Sequence, residues 1–336
     1  MDALDPDVKV LLETVLLPRH PPFDAATLRL GHLASQDLLA GDRVPVAAID
    51  GFTVDPDAGL GTPRLAVRRY QPREGCTRGI VWLHGGGWVT GTLDGYDAVA
   101  RALAVAADSQ VFMVDYRLAP EAPYPAPLAD CTAAFRQLAD RAASFGVAPG
   151  RLVIGGDSAG GHLAIGVCRW LAGGRRTAGP RAGAKQAWSS EAPPAKPAAL
   201  VLVYPVTDAR MLHDSYARFA EGHHLSAVQM AWFWQQFLPK ASNAAGAPLM
   251  LEHPDLSPLL AQDLHHLPPT LLVTAQCDVL HDEGEAFAAA LRGAGVACDY
   301  LEIKAMIHGC LRFRAALGQA RELPAQIAAR LDRWRI

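Results

Sequence analysis

Short apolar runs alternate along the chain with segments whose hydrophobic residues recur at helical spacing. Two N-terminal segments have the helical pattern, one around residues 8–16 and one at 25–39. From residue 46 the pattern predicts eight strands, at 46–54, 65–70, 79–83, 111–116, 152–154, 200–204, 270–274 and 300–303. Helices are predicted between them, at 94–107, 128–145, 159–171 and 283–293, and near the C-terminus. This alternation predicts an α/β fold with a mostly parallel sheet and helices on both faces.

Two segments interrupt the alternation and suggest a domain organisation. Residues 172–197 are rich in Gly, Ala, Arg, Ser and Pro without apolar periodicity, so we expect a mobile surface insertion. Residues 207–251 place many aromatic residues between two core strands, which indicates either ordinary core packing or a lid that lines an acyl pocket. We expect a catalytic domain at 46–206 and 252–336, N-terminal cap helices at 1–45, and cap or lid helices at 207–251.

Composition and charge narrow the class of protein. Half of the 336 residues are hydrophobic and 19% are charged, which is ordinary for a globular protein with a sizeable core. The formal net charge is -3 and the basic residues are scattered, so we expect no nucleic-acid partner. The acidic N-terminus lacks a signal-peptide pattern, and no apolar run approaches the ~20 residues of a membrane-spanning helix. We therefore expect a cytoplasmic protein without a membrane span.

The six cysteines are dispersed along the chain, and no two of them form a CxxC pair. Their spacing also does not fit a metal site. We expect reduced and mostly buried thiols, no disulfide framework and no bound metal.

The motif GDSAGG at residues 156–161 contains a candidate nucleophile. It fits G-x-S-x-G, the nucleophile elbow, in which a sharp strand-to-helix turn exposes a serine hydroxyl. A strand is predicted before the motif and a helix after it, as the elbow requires. A plain glycine turn or a phosphate-binding loop is the alternative, but the G-x-x-x-x-G-K-[ST] pattern is absent from the sequence. Ser158 is therefore the predicted nucleophile.

A second motif, HGGG at residues 84–87, directly follows the strand predicted at 79–83. Acyl transfer passes through a tetrahedral intermediate whose negative oxygen needs preorganised N–H donors. Successive glycines can aim their N–H groups at one point because no side chain intervenes. The predicted oxyanion-hole donors are the backbone N–H groups of Gly86, Gly87 and Ala159. Whether Gly85 also donates stays open, His84 is expected to hold the loop, and a flexible glycine turn is the alternative.

An acid and a base are expected after later strands. In folds that have a nucleophile elbow, the catalytic triad occurs along the chain in the order Ser, then Asp or Glu, then His. Asp278 and His308 each follow a predicted strand, and loops after the carboxyl ends of parallel strands gather at one edge of the sheet. His308 would accept the Ser158 proton, and Asp278 would orient the imidazole. Asp282 and Glu283 compete as the acid, although both suit the first turn of a helix. The competing histidines, for which we expect surface or packing roles, are His223, His224, His265, His266 and His281.

Together these motifs resemble those of the hormone-sensitive lipase family, also called the family IV bacterial esterases. The resemblance extends from about residue 46 to the C-terminus. The matching stretches are HGGGW at 84–88, DYRLAPE at 115–121, GDSAGG at 156–161, SPL at 257–259, DVLHDEGE at 278–285 and HG at 308–309. The resemblance implies an α/β-hydrolase fold: a mostly parallel eight-stranded sheet flanked by helices, with a helical cap. It also implies an HGGG oxyanion hole and a triad on the residues chosen above.

The chain departs from the family pattern in the two loops that carry the predicted acid and base. Val279 stands where proline usually follows the catalytic aspartate, and Cys310 stands where an aromatic residue usually follows His-Gly. Cys277 precedes the aspartate at a position where members vary. None of these differences removes a catalytic group. Glu121 and Asp157 match family positions that we expect to serve loop structure and hydrogen bonding.

The resemblance implies a carboxylesterase without a cofactor that acts on small, fairly hydrophobic esters with short to medium acyl chains, through an acyl-serine intermediate. Trp88 and Leu225 are candidate walls of the substrate pocket. An amidase, formamidase, lactonase or thioesterase with the same triad stays open. A ligand receptor on an inactive hydrolase scaffold, as in the gibberellin receptors, is disfavoured because His308 is retained, and a structural scaffold would need none of these motifs. Relatives often dimerise, so a homodimer is expected.

Overall fold

A central sheet of eight strands organises the computed structural model, which describes residues 4–18, 20–174, 196–239 and 251–336. The strands are β1 (Ala48–Val54), β2 (Leu65–Gln71), β3 (Gly79–Leu83), β4 (Gln110–Val114), β5 (Leu152–Asp157), β6 (Leu200–Val203), β7 (Thr270–Cys277) and β8 (Cys298–Ile307). Their order across the sheet is β1-β2-β4-β3-β5-β6-β7-β8. The β1–β2 and β2–β4 pairs are antiparallel, and the other neighbours are parallel.

Helices cover both faces of this sheet. They are α1 (Pro6–Thr14), α2 (Ala25–Ala40), α3 (Asp97–Ala106), α4 (Ala126–Asp140), α5 (Ala159–Arg169), α6 (Ser215–Arg218), α7 (Ala227–Phe237), α8 (His281–Gly293) and α9 (Gly318–Arg333). Short 3₁₀ turns lie at Ala142–Phe145, Pro258–Leu260, Leu264–His266 and Cys310–Arg312. Within the described ranges, no helix has the length and apolar character needed to cross a bilayer.

The central strands are hydrophobic at nearly every position because both faces of the sheet are buried. On β3, Val81 and Leu83 belong to the core beneath α4, α5 and α8. The alternate residues Ile80 and Trp82 belong to the core beneath α3 and α9. The period of two residues along a strand thus divides one apolar run between two cores.

The predicted α/β-hydrolase fold is confirmed, and the differences lie at element boundaries. The helix predicted over 128–145 ends at Asp140, and a separate 3₁₀ turn follows it. The strand predicted at 152–154 continues through two glycines to Asp157, because the sheet supplies the pairing that glycine itself does not favour. Most of the insertion expected at 172–197, and residues 240–250 of the segment 207–251, lie outside the described residues.

Helix α2 is fastened to the loops at the carboxyl edge of the sheet. The Arg29 guanidinium donates hydrogen bonds to the carbonyl oxygens of Val89 (2.8 Å) and Ala119 (3.0 Å). It also forms an ion pair with Glu121 at 2.7 Å. Because these partners follow β3 and β4, α2 lies over the edge of the sheet where the predicted site residues meet.

A buried ion pair anchors the far end of α5. Arg169 Nη1 lies 2.7 Å from Asp255 Oδ1, and the two side chains are only 5% and 3% exposed. Asp255 Oδ2 accepts further hydrogen bonds from Tyr124 Oη (2.9 Å) and Trp170 Nε1 (2.9 Å). Every oxygen of this carboxylate therefore has a donor, which a buried charge requires.

We predict that Arg169→Met lowers the free energy of unfolding by about 3–5 kcal/mol, because it leaves the buried Asp255 carboxylate without its counter-charge. Urea unfolding followed by circular dichroism measures the change. The matched control is Arg333→Met, which removes a mostly exposed pair with Asp299 and should cost less than about 1 kcal/mol. Equal losses in the two variants would contradict the structural role assigned to the Arg169 pair.

Candidate active site

Ser158 lies in the turn between β5 and α5, with backbone angles of φ 55° and ψ -122°. This left-handed conformation is unfavourable for a residue with a side chain and costs about 1–3 kcal/mol, so the surroundings must hold it in place. The Ser158 N–H donates to the Val203 carbonyl at 2.9 Å, and the His162 N–H donates to the Ser158 carbonyl at 3.1 Å. The turn thereby presents the Ser158 hydroxyl at the carboxyl edge of the sheet.

Two other sequence-predicted residues form a hydrogen-bonded chain that begins at this hydroxyl. His308 directly follows β8, and its Nε2 lies 2.9 Å from Ser158 Oγ. Asp278 directly follows β7, and its Oδ2 lies 2.6 Å from His308 Nδ1. A carboxylate can only accept, so Nδ1 donates to Asp278 and Nε2 of the neutral ring accepts from the serine hydroxyl. The structure thus joins Ser158, His308 and Asp278 in one chain of hydrogen bonds.

The Asp278 carboxylate is 1% exposed, and its other oxygen, Oδ1, accepts the Leu280 N–H at 3.0 Å. The competing acids lie in the first turn of α8, as their sequence positions suggested. Asp282 pairs with Arg218, and Glu283 accepts the Thr207 N–H at 2.6 Å. Burial raises the pKa of Glu283 to about 8. Within the described residues, neither side chain forms a hydrogen bond with His308.

The glycine loop after β3 lies beside the serine turn. The Gly85 N–H donates to Tyr96 Oη (3.0 Å) and Asp157 Oδ1 (3.2 Å), so it is occupied. The predicted donors are the N–H groups of Gly86, Gly87 and Ala159. Among the described residues, none of these three groups donates to a protein acceptor. Gly86 (φ 119°) and Gly87 (φ 60°) both lie in the region of backbone conformation that favours glycine.

His84 is buried beneath this loop. Its Nδ1 lies 2.9 Å from the Gly85 carbonyl oxygen and 3.2 Å from Tyr116 Oη. The two rings stack at 4.4 Å between centroids. Burial lowers the pKa of His84 to about 4, which keeps the ring neutral at physiological pH. His84 thus contacts the loop through the Gly85 carbonyl, where the sequence predicted it, and also contacts Tyr116.

A cavity of about 820 Å³, counted with its open mouth, lies over Ser158 and His308. Helices α2 and α7 supply much of its wall, and most of the lining is apolar. The apolar side chains of the wall are Leu16, Leu28, Leu39, Leu225, Met230, Phe233 and Phe313. Leu225, a candidate wall of the substrate pocket, is one of these side chains.

Trp88 does not line this cavity, which corrects its assignment as a pocket wall. Its indole is fully buried and stacks on Phe237 at 4.3 Å between ring centroids. Trp234 and His162 complete the cluster around it. Trp88 has a φ of 61°, and this backbone turn directs its ring into the interior behind the cavity.

Sequence reasoning missed the polar residues of the cavity wall. His32 and Ser35 come from α2, and Arg312 comes from the 3₁₀ turn that follows His308. His224, which was expected to have a surface or packing role, also lines the cavity. The one available signal was the position of Arg312, four residues after the predicted base.

A family model described as the alpha/beta hydrolase fold matches residues 80–312. Among similar proteins, the carboxylic ester hydrolase LipN of Mycobacterium tuberculosis is 35% identical, over 99% of this chain and 84% of its own. The ethyl acetate hydrolase of Pseudomonas putida is 32% identical, over 95% of this chain and 96% of its own.

Solved structures agree with these matches. The hyperthermophilic esterase of the archaeon Pyrobaculum calidifontis superposes with a TM-score of 0.84 at 31% identity, covering 99% of both chains. An ester-hydrolase from the Lake Arreo metagenome, complexed with a bipyridine phosphonate derivative, gives 0.82 at 33% identity and covers 98% of both. The chain therefore belongs to the α/β-hydrolase family, in the branch of the hormone-sensitive lipase type.

Proposed function

We propose that this protein is a carboxylesterase that hydrolyses small, hydrophobic esters of short to medium acyl chain length through an acyl-serine intermediate. The observation that carries the proposal is the hydrogen-bonded chain from Ser158 Oγ through His308 to Asp278, with separations of 2.9 and 2.6 Å. The mostly apolar cavity over Ser158 supports a substrate whose reacting group is uncharged, as an ester carbonyl is. The names of the similar proteins, carboxylic ester hydrolase and ethyl acetate hydrolase, agree with the same chemistry.

In the first half of the proposed reaction, Ser158 Oγ attacks the ester carbonyl carbon while its proton moves to His308 Nε2. The carbonyl oxygen becomes negative and accepts hydrogen bonds from the N–H groups of Gly86, Gly87 and Ala159. Asp278 stabilises the imidazolium that forms. The tetrahedral intermediate then breaks its bond to the alcohol oxygen, which takes the proton from His308 and leaves as the alcohol.

In the second half, water attacks the acyl-serine carbonyl carbon and gives its proton to His308 Nε2. The same N–H groups hold the oxyanion. The intermediate releases the carboxylic acid, and Ser158 Oγ recovers a proton from the imidazolium. Apart from the ester and water, every group in this route belongs to the chain, so the proposed reaction uses no metal or cofactor.

The proposal includes a division of the chain into a catalytic domain and a cap. Residues 46–206 and 252–336 would form the catalytic domain, and residues 1–45 and 207–251 would form a cap over it. Supporting this division, α2 and α7 both contribute side chains to the cavity over Ser158. A cytoplasmic location and a homodimer also remain proposals.

We predict that Ser158→Ala lowers kcat on p-nitrophenyl butyrate by about 10⁴-fold or more, because no other group in the site replaces the nucleophile. Release of p-nitrophenol measures the rate. The matched control is Ser144→Ala, which removes an exposed hydroxyl on the 3₁₀ turn after α4 and should keep full activity. Equal rates for wild type and Ser158→Ala would rule out the proposed nucleophile.

A second prediction separates the acids. Asp278→Asn should lower kcat by about 10⁴-fold with little effect on KM, because an amide at this position favours the wrong histidine tautomer. Asp282→Asn is the matched control, since that carboxylate faces Arg218 rather than His308. We expect less than about ten-fold loss there, because the control touches no reacting group. A reversal of the two effects would transfer the role of the acid to Asp282.

A further inference from the structure

The cavity over Ser158 is apolar on most of its wall but contains one permanent positive charge. Of the described side chains that line it, Arg312 is the only arginine or lysine and Asp157 is the only carboxylic acid. Arg312 lies in the same loop as His308, at the end of the 3₁₀ turn Cys310–Arg312. A cation at this place is costly for a cavity that holds only neutral esters, because a charge near apolar surface loses hydration.

The hydrogen-bonding groups of Arg312 are largely unused by the protein. Nη1 lies 3.3 Å from His32 Nδ1, and the guanidinium stacks over the Tyr96 ring at 5.3 Å from its centroid. Nε is buried and has no acceptor among the described side chains and backbone. Within the described part of the chain, Arg312 forms no ion pair with a carboxylate. Unlike Arg169, it is therefore not held as a structural charge.

Among the described residues that line the cavity, Asp157 is the one carboxylic acid, and its side chain is already engaged. Its carboxylate accepts hydrogen bonds from Tyr96 Oη (2.8 Å), Trp82 Nε1 (3.2 Å) and the Gly85 N–H (3.2 Å). It interacts with Arg312 only through the longer-range electrostatic field, without a direct ion pair. Tyr96 lies between the two groups, since it stacks under the guanidinium and donates to the carboxylate.

We propose that Arg312 is a specificity-determining residue that binds a carboxylate on the substrate, so that the protein prefers esters with a free carboxylate, such as half-esters of dicarboxylic acids. The planar guanidinium can donate two parallel hydrogen bonds to a carboxylate, a geometry that few other side chains offer. His32 and Tyr96, which contact Arg312, add polar groups to this part of the wall. The inference rests on the proposed esterase function and refines its substrate class, from small hydrophobic esters in general to those that also bear a free carboxylate.

The test compares isosteric pairs of esters. The p-nitrophenyl half-esters of succinic, glutaric and adipic acid are each measured beside the neutral 4-methylpentanoate, 5-methylhexanoate and 6-methylheptanoate of equal shape. A second series places the carboxylate on the alcohol side, in butanoate esters of ω-hydroxy acids beside their branched neutral isosteres. The readout is the ratio of kcat/KM for the charged ester to that for its neutral partner.

In wild type we expect at least one half-ester to be hydrolysed as fast as its neutral isostere or faster. Arg312→Met should lower that ratio by about ten-fold or more, and Arg312→Lys, which keeps the charge but not the fork, should lie between them. The matched control is Arg314→Met, two residues along, which removes an equal charge from a side chain outside the cavity wall. Its ratio should equal that of wild type.

Either of two results would overturn the proposal. One is an equal ratio in wild type and Arg312→Met. The other is a result for wild type alone, in which kcat/KM is higher by ten-fold or more for every neutral isostere in both series. An apolar pocket without a partner for the carboxylate would give that result.

A binding measurement separates this inference from the proposed function. Calorimetric titration of the Ser158→Ala protein with mono-p-nitrophenyl glutarate should show binding that Arg312→Met weakens by about ten-fold or more. If wild type fails to hydrolyse any ester while this binding remains arginine-dependent, the esterase proposal fails and the carboxylate site stands. If esters are hydrolysed normally and the binding ignores Arg312, only the carboxylate site fails.

Discussion

The close approach of α5 to β3 is the constraint on which the site depends. A Cβ placed on Gly160 would lie 1.9 Å from the Leu83 carbonyl oxygen, and one on Gly156 would lie 2.5 Å from the same oxygen. No real side chain tolerates such distances, so both positions must be glycine for the turn to close. Only then can the helix begin directly above the strand, with Ser158 forced into its left-handed conformation and its hydroxyl aimed out of the sheet.

The same approach brings the glycine loop next to the serine, and Asp157 fastens the two together. Its buried carboxylate receives donors from β3, from Gly85 and from Tyr96, which precedes α3. Burial raises the pKa of Asp157, while the hydrogen bonds from Tyr96 and Trp82 and the field of Arg312 oppose the rise. Because the Gly85 N–H donates to Asp157 and Tyr96, the loop is fixed in an orientation that leaves the next two N–H groups without an acceptor among the described residues.

The residues of the hydrogen-bonded chain were predictable because strand order and direction decide where they lie. Ser158, Asp278 and His308 each follow a parallel strand, and such strand ends share one edge of the sheet. The cavity wall was not predictable in the same way. Trp88 directly follows the glycines, yet its positive φ turns the ring inward. A pattern of hydrophobic positions does not reveal such a backbone angle. His32 and Arg312 meet only because α2 packs against a loop 280 residues later in the chain.

The strand-end residues and the residues of the cavity wall differ in how freely they can be exchanged, and this bears on substrate selectivity. The proposed reacting groups follow strand ends that the sheet holds in register, so their geometry tolerates little change. The wall stands mainly on α2, on α7 and on the turn after His308, where a side chain can be exchanged without moving a strand. Substitution of a wall residue can therefore add or remove a charge such as that of Arg312 while the hydrogen-bonded chain stays intact. One fold and one hydrogen-bonded chain can thus stand beneath cavity walls of different polarity, so the substrate must be inferred from the wall rather than from that chain.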